Sequence, residues 1–241
     1  MKKQNSFRTI IRFAVLALAF FFLTACAAKI KTTDLLSVTQ NISPDTSQIL
    51  LVANDSFSSF APGKIYALEK SSFSWRQAMA PFDAVVGRNG FAPQGEKREG
   101  DGRTPSGVYP LETTFGYAES VNTKMPYRQA RADDLWVDDP NAPDYNRWVR
   151  QSKTRAASYE KMRRDDNLYK YGVIVEYNTH PVVKGHGSAI FLHVWKGPGS
   201  TTAGCVAVSE EDILKIFTWL NPADNPAIVI NPKPLEKESP K

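Results

Sequence analysis

Apolar residues recur along the chain in short runs of four to seven residues, separated by polar, glycine or proline positions. Runs of this length are too short for most helices and are typical of buried or half-buried strands. The predicted strands occupy residues 48–53, 64–69, 75–79, 83–86, 107–111, 173–177, 189–195 and 227–231. Residues 64–69 and 75–79 are predicted to form a hairpin, and the glycine- and proline-rich residues 91–106 a loop.

One clear helical pattern lies near the C-terminus. Ser209 is a good N-cap, and the acidic residues 210–212 occupy the first turn, where the helix dipole favours negative charge. Apolar residues then recur on one face as far as Leu220, and Asn221-Pro222 is expected to end the helix.

The middle of the chain, residues 112–170, has a different character. It is rich in charged residues and contains seven tyrosines and tryptophans, namely Tyr117, Tyr127, Trp136, Tyr145, Trp148, Tyr159 and Tyr169. We predict short helices at residues 144–151 and 158–163, which makes the stretch an inserted helical segment or a lid packed on the sheet. The acidic pairs at 133–134 and 138–139 are expected in a solvated loop. The whole pattern predicts a mainly β domain of the α+β class.

The first 25 residues have the composition of a secretion signal. Four basic residues precede an apolar run over residues 13–23, which is shorter than the roughly 20 residues that a membrane span needs. Leu23-Thr24-Ala25-Cys26 then has the form of a lipobox, which predicts lipidation of Cys26. The alternatives are an ordinary signal cleaved near Ala25 and an uncleaved anchor that starts at Ile10.

The remainder divides into three parts. We expect a tether over residues 26–46, one folded domain over residues 47–232 and a tail over residues 233–241. Export places the domain outside the cytoplasm. Because Ala27 stands where an aspartate favours retention in the inner membrane, the outer membrane is the preferred anchor site if the host is Gram-negative, with the domain in the periplasm.

Net charge argues against a nucleic-acid partner. The chain carries a formal charge of +5, but the signal holds four basic residues and no acid, so its removal leaves +1. A nucleic-acid-binding domain needs a basic stripe on its folded surface. We therefore predict no nucleic-acid partner and membrane contact only through the lipid anchor.

Cys205 and His193 form the candidate reactive pair. With Cys26 lipidated, Cys205 has no disulfide partner in a compartment that oxidises thiols, so it is either reactive or buried and inert. His193 lies near the end of a predicted strand, and the flexible loop that follows can bring Cys205 back to an imidazole that deprotonates it. Gly204 permits unusual backbone angles and close approach of a substrate.

Three segments resemble those of a known family. Thr202-Ala203-Gly204-Cys205-Val206, with His193 upstream, is similar to the active-site motif of L,D-transpeptidases, the YkuD-like enzymes. Residues 100–109, Gly-Asp-Gly-Arg-Thr-Pro-Ser-Gly-Val-Tyr, resemble the family's Thr-Pro-x-Gly-x-Phe/Tyr segment, and residues 187–193 are a third match. The resemblance covers about residues 48–231 and implies a YkuD-like β-sandwich or barrel core.

This resemblance implies chemistry on the stem peptides of peptidoglycan. Cys205 would attack the carbonyl after the third residue of a tetrapeptide stem, a diaminopimelate, and the terminal D-alanine would leave. An amine of a second stem would then resolve the thioester and form a 3→3 cross-link. His193 would act as base and later as acid, and the N–H groups of Gly204 and Cys205 would bind the oxyanion.

Other polar residues near the motifs are candidates for binding. Thr202 and the cations Arg103 and Lys196 are candidate substrate-binding residues, although ordinary surface charge accounts for the two cations equally well. His180 and His186 are expected in an exposed loop, so we predict no metal site and no cofactor.

Two departures from the family pattern leave the reaction open. Ala203 stands where most members have a histidine, and 12 positions separate His193 from Cys205, fewer than is usual. Because that loop often shapes the acceptor site, an L,D-carboxypeptidase or another hydrolase of stem peptides is the alternative to a transpeptidase. A non-catalytic, wall-binding lipoprotein is the third hypothesis.

Overall fold

The structure is a computed structural model that describes residues 42–54, 63–71 and 74–231. The predicted signal, the lipobox cysteine Cys26, the first part of the tether and the C-terminal tail lie outside these residues. No helix within the described ranges is long and apolar enough to cross a membrane.

The described part of the chain is dominated by short strands. They are β1 (Gln48–Asn54), β2 (Gly63–Ser71), β3 (Ser74–Gln77), β4 (Phe82–Val85), β5 (Phe91–Ala92), β6 (Thr104–Pro105), β7 (Gly107–Gly116), β8 (Tyr127–Gln129), β9 (Asp134–Val137), β10 (Trp148–Arg150), β11 (Tyr159–Lys161), β12 (Tyr171–Val175), β13 (Phe191–Val194), β14 (Val206–Val208) and β15 (Ala227–Ile230). The α-helix α1 (Glu210–Trp219) and the 3-10 helices Gln151–Lys153 and Pro222–Asp224 complete the described elements.

The main sheet closes on itself. Its strands follow the order β1-β15-β7-β12-β13-β14-β4-β2, and β2 pairs back with β1. β3 extends the sheet from β2, and β8 pairs with β7. Closure removes the free edges that an open sheet would expose. The predicted mainly β, α+β fold with a barrel-like core is therefore confirmed.

All of the predicted strands are present, with bounds that differ by a few residues, and β2 and β3 form the predicted hairpin. The structure adds β14, a strand of three residues that the sequence pattern does not mark. β14 is defined by its parallel pairing with β13 over Leu192–Val194, not by a local signal of its own.

The predicted C-terminal helix is also confirmed. α1 begins after Ser209, whose Oγ accepts a hydrogen bond from the Asp212 N–H at 3.0 Å. Its apolar face buries Ile213, Ile216 and Phe217 in the main core. A helix of this length is marginal alone, so burial of this face is what holds it in place.

The predicted helices at residues 144–151 and 158–163 are wrong. Trp148–Arg150 and Tyr159–Lys161 are strands that flank β9 in a three-stranded antiparallel sheet, and the only helical turn described in this stretch is Gln151–Lys153. All four residues of β9 are buried. Pairing with a buried strand outweighs the weak local preference for helix.

This inserted sheet packs on the main sheet through an aromatic cluster. The cluster consists of buried and half-buried residues from both parts, including Phe115, Trp136, Trp148, Tyr169 and Phe191. Their rings meet edge to face, with centroids 5.0–6.4 Å apart. Because this geometry favours aromatic pairs, the insertion is held firmly against β12 and β13.

Candidate active site

Two neighbouring parallel strands position the candidate pair. β13 carries His193, and Cys205 immediately precedes β14. Leu192 pairs with Val206 and His193 with Ala207. Because side chains alternate along a strand, Cys205 and Ala207 project to the same face of the sheet. His193 is paired with Ala207 and therefore projects to that face as well. The thiol and the imidazole are thus diagonal neighbours on one face of the sheet.

The thiol of Cys205 is held in a resting position. Its Sγ donates to the Ala189 carbonyl at 3.2 Å and accepts from the Phe191 N–H at 3.4 Å. The residue is 7% exposed. Burial raises the pKa of the Cys205 thiol to about 12, because a thiolate in apolar surroundings loses its hydration. Burial therefore favours the neutral thiol over the thiolate.

His193 is buried as well, and its hydrogen bonding orients the ring. Nδ1 lies 2.8 Å from the Val194 carbonyl, which can only accept, so Nδ1 carries the proton and the lone pair lies on Nε2. One edge of the ring packs against Tyr169, with centroids 5.1 Å apart. Burial lowers the pKa of His193 to about 4, which keeps the imidazole neutral. No hydrogen bond joins the ring to Cys205 Sγ among the described contacts.

Both side chains line one cavity of about 380 Å³. A second cavity of about 440 Å³ adjoins it and shares five lining residues, Val85, Arg88, Trp195, Ser200 and Thr201. Cys205 is therefore low in exposure but lines an open cavity. The alternative of a sealed, inert thiol does not fit this cavity.

Two threonines hold the Cys205 backbone. Thr202 Oγ1 donates to the Cys205 carbonyl at 2.6 Å, and Thr104 Oγ1 donates to the same carbonyl at 3.3 Å. Thr104 is completely buried and also accepts from the Gly87 N–H at 2.8 Å. Thr104, in the Thr-Pro segment that stood out in the sequence, is thus a brace for the Cys205 backbone.

The N–H groups around Cys205 differ in what they bind. The Gly204 N–H donates to Thr202 Oγ1 at 3.1 Å, whereas the Cys205 N–H has no acceptor among the described residues. Gly204 has φ +154°, and a Cβ at this position would lie 3.0 Å from the Arg103 carbonyl. Glycine is required here because a side chain would meet backbone.

A comparison with known families gives this geometry a context. The family model of the L,D-transpeptidase catalytic domain, YkuD, matches residues 65–230, which include both strands of the site. The chain belongs to this family. The match therefore assigns the fold of the L,D-transpeptidase catalytic domain to residues 65–230.

More distant comparisons add little. No curated protein matches the chain. The solved structure of Bdellovibrio bacteriovorus Bd1075 is similar at 14% identity with a TM-score of 0.39, over 77% of this chain. The chain spans about half the length, 48%, of that protein. A likeness this weak supports no conclusion about this L,D-transpeptidase domain.

The predicted substrate-binding residues lie in different places. Lys196 and Thr202 line the cavity, although the Thr202 hydroxyl is engaged by the backbone. The exposed Arg103 is absent from the cavity lining, and its backbone N–H donates to Asp101 at 2.9 Å. His180 and His186 belong to no group of three or more potential metal ligands in the part of the chain described.

The structure brings further charged residues to the cavity that sequence patterns do not single out. They are Arg88, Lys97, Glu99, Asp138, Glu160 and Arg164. The predicted solvated loop is wrong at Asp138, which lies in the cavity wall and whose Oδ1 is buried with no described partner. It is also wrong at Asp134, which is 1% exposed and pairs with Arg150. Burial raises the pKa of Asp138.

Proposed function

We propose that the protein is a peptidoglycan L,D-transpeptidase with Cys205 as nucleophile and His193 as general base. The supporting observation is that the imidazole of His193 on β13 and the thiol of Cys205, just before the parallel strand β14, lie on one face of the sheet in the wall of one cavity. A neutral imidazole that is protonated on Nδ1 has its lone pair on Nε2 and is the form that accepts a proton. The family accounts for the substrate class.

Acylation starts when Cys205 Sγ leaves the Ala189 carbonyl. The thiol proton passes to Nε2 of His193 as Sγ forms a bond to the carbonyl carbon of the third stem residue, and the carbonyl π electrons move to oxygen. When the oxyanion collapses, the C–N bond to D-alanine breaks and His193 returns the proton to the leaving amine. The product is a thioester on Cys205.

Deacylation repeats these steps with an amine from a second stem. The amine attacks the thioester and gives up a proton to Nε2 of His193. Collapse of the second tetrahedral intermediate breaks the C–S bond, and the departing thiolate takes the proton back. An amide cross-link forms, and the resting thiol is restored.

Burial gives this mechanism a resting state with both groups neutral. The pKa of Cys205 is raised to about 12 and that of His193 is lowered to about 4, in both cases by desolvation. A thiolate–imidazolium pair is therefore disfavoured until a substrate carbonyl accepts the charge. Proton transfer and attack are expected to be coupled, which protects the thiol from reaction in the absence of substrate.

The lining of the cavity suits a stem peptide. A stem carries carboxylates and an amine, and the wall presents the cations Arg88 and Lys196 together with the carboxylates Glu99 and Asp138. The adjoining cavity of about 440 Å³ offers space for a second chain beside the first. A mixed-charge groove with two connected parts is compatible with one donor and one acceptor.

The test is product analysis with disaccharide tetrapeptides and the full-length protein. We expect a dimer whose mass equals two stems minus one D-alanine, and no dimer with Cys205→Ala or His193→Ala. His180→Ala, which changes an exposed histidine, is the matched control and keeps wild-type turnover. Cross-linking that persists in Cys205→Ala would falsify the proposed chemistry.

The same products decide between transpeptidation and its alternatives. Free tripeptide without a dimer assigns the protein as an L,D-carboxypeptidase, because water then takes the place of the amine. Tight binding without turnover, unchanged by Cys205→Ser, assigns a wall-binding protein. Each of these results contradicts the transfer step proposed above.

We further propose that the domain is held at a membrane outside the cytoplasm through a lipid on Cys26. This proposal is supported by the lipobox and by the apolar run before it. Incorporation of labelled palmitate into the wild type but not into Cys26→Ala is the expected result. Equal labelling of both proteins would contradict it.

A further inference from the structure

Lys97 is a buried cation in the wall of the catalytic cavity. It lies in the loop between β5 and β6 and is only 4% exposed, which is uncommon for lysine. Its Nζ donates to Asp101 Oδ1 at 2.6 Å and to the Arg98 carbonyl at 2.7 Å. Asp101 is in turn held by the N–H groups of Arg98 and Arg103, at 2.8 and 2.9 Å. The ammonium is therefore fixed in place.

The stem of Lys97 lies against two glycines that border the site. A Cβ at Gly187 would lie 3.0 Å from Lys97 Cγ and 3.1 Å from Cε, and a Cβ at Gly204 would lie 3.7 Å from Cε. Gly187 precedes β13, and Gly204 precedes the nucleophile. The absence of side chains at these positions allows the lysine to reach the cavity beside Cys205.

The backbone beside Cys205 provides few hydrogen-bond donors for the negative charge that would develop there. The Gly204 N–H is occupied by Thr202 Oγ1, so the Cys205 N–H is the one open donor found beside the thiol in the described residues. An oxyanion usually needs more than one donor or a nearby positive charge. The Lys97 ammonium, which lies in the same cavity wall and whose Cε is close to Gly204, can supply that charge.

We propose that Lys97 stabilises the negative charge that forms first on Cys205 Sγ and then on the carbonyl oxygen of the substrate. Only the effect on the carbonyl oxygen of the substrate rests on the proposed function. The ammonium opposes the larger upward effect of burial on the pKa of Cys205. Other ionisable groups with an electrostatic effect on Cys205 are Tyr169, Glu160 and Arg164. Glu160 and Arg164 pair with each other at 3.1 Å, as Lys97 and Asp101 do at 2.6 Å.

Alkylation of the thiol tests the effect of Lys97 on Cys205 Sγ without any turnover. In the full-length protein with Cys26→Ala, Cys205 is the single thiol, and its rate constant with iodoacetamide is measured between about pH 6 and 10. We expect Lys97→Met to lower the rate roughly 10-fold at each pH, since an opposite charge at short range shifts a pKa by about one unit or more. Lys97→Arg keeps most of the rate.

Lys124→Met is the matched control, because Lys124 is an exposed lysine that lines neither cavity. Its alkylation rate stays at the wild-type value. Equal rates for Lys97→Met and the wild type, with equal melting temperatures, overturn the proposal.

A second variant covers the case in which Lys97→Met does not fold. Asp101→Asn keeps the ammonium and removes its counter-charge, so the proposal predicts faster alkylation. A slower or unchanged rate contradicts it.

Turnover separates this inference from the proposed function. Lys97→Met is expected to reduce kcat by roughly 100-fold with little change in KM, the pattern of a lost transition-state contact. If no variant and no wild-type protein forms cross-links, the proposed function fails while the alkylation result still decides the role of Lys97.

Discussion

Thr104→Val changes one buried atom and has two separate consequences. Valine has nearly the same shape as threonine, but it cannot accept from the Gly87 N–H at 2.8 Å or donate to the Cys205 carbonyl at 3.3 Å. The carbonyl retains Thr202 Oγ1 at 2.6 Å, so the group left unsatisfied is the buried Gly87 N–H. Such a group costs about 1–3 kcal/mol, and we expect about 2 kcal/mol of lost stability. For a domain of this size the melting temperature falls by about 4–8 °C.

The second consequence is on activity. Loss of one of the two hydroxyls that hold the Cys205 carbonyl lets Cys205 shift. Because small displacements of a reacting group are costly, the proposed mechanism predicts that kcat/KM falls by about 10- to 100-fold. Thr114→Val is the matched control. Thr114 is also completely buried, but it lies on β7, which β12 separates from β13. Its hydroxyl donates to the Pro126 carbonyl, and that carbonyl also accepts from the Thr114 N–H at 2.9 Å, so valine leaves no buried group unsatisfied.

Urea unfolding and the cross-linking assay measure the two effects side by side. Thr114→Val should lose about 1 kcal/mol or less and keep full activity. The interpretation of Thr104 as a brace is refuted if Thr104→Val is as stable as the wild type, or if both valine variants lose activity equally.

Two further predictions concern pH and backbone geometry. The folded pKa of His193, about 4, lies below the ordinary 6.5, so between these values the unfolded state binds the extra proton and stability falls as pH falls. Urea unfolding should show this slope in the wild type and in His180→Ala, and a smaller one in His193→Asn; equal slopes in all three contradict it. Gly204→Ala places a Cβ 3.0 Å from the Arg103 carbonyl at φ +154°, so more than about 1 kcal/mol of stability and most of the activity should be lost. Wild-type melting and turnover in that variant argue against the required glycine.

The parts of the fold that follow from local patterns could be predicted. Alternating or continuous apolar runs marked the barrel strands, and the cap at Ser209 with three acids behind it marked the start of α1. β14 could not be found in this way, because three residues carry no period and the strand exists through its partner. The insertion was mispredicted for the same reason. Trp148 and Tyr159 have weak local preferences, and pairing with the buried β9 decides their conformation.

The site divides along a similar line. Cys205, His193 and the Thr-Pro segment stand out in the sequence because the chemistry and the motif require those residue types. Lys97 and Asp138 do not stand out, since a charged residue in a polar stretch is ordinarily on the surface. Their burial follows from chain closure, which brings the loop before β6 and the loop after β9 to one cavity. The catalytic roles of Cys205 and His193 remain a prediction, whereas the cavity that surrounds them is seen only in the structure.

The most direct test of the account is the site at which the protein carries its acyl intermediate. The full-length wild-type protein is incubated with a disaccharide tetrapeptide, quenched in acid and digested with trypsin. We predict that the acyl group is found on the peptide over residues 197–215, at Cys205, and that it is lost in Cys205→Ala. An acyl group on any other residue, or cross-linking by Cys205→Ala, contradicts the account.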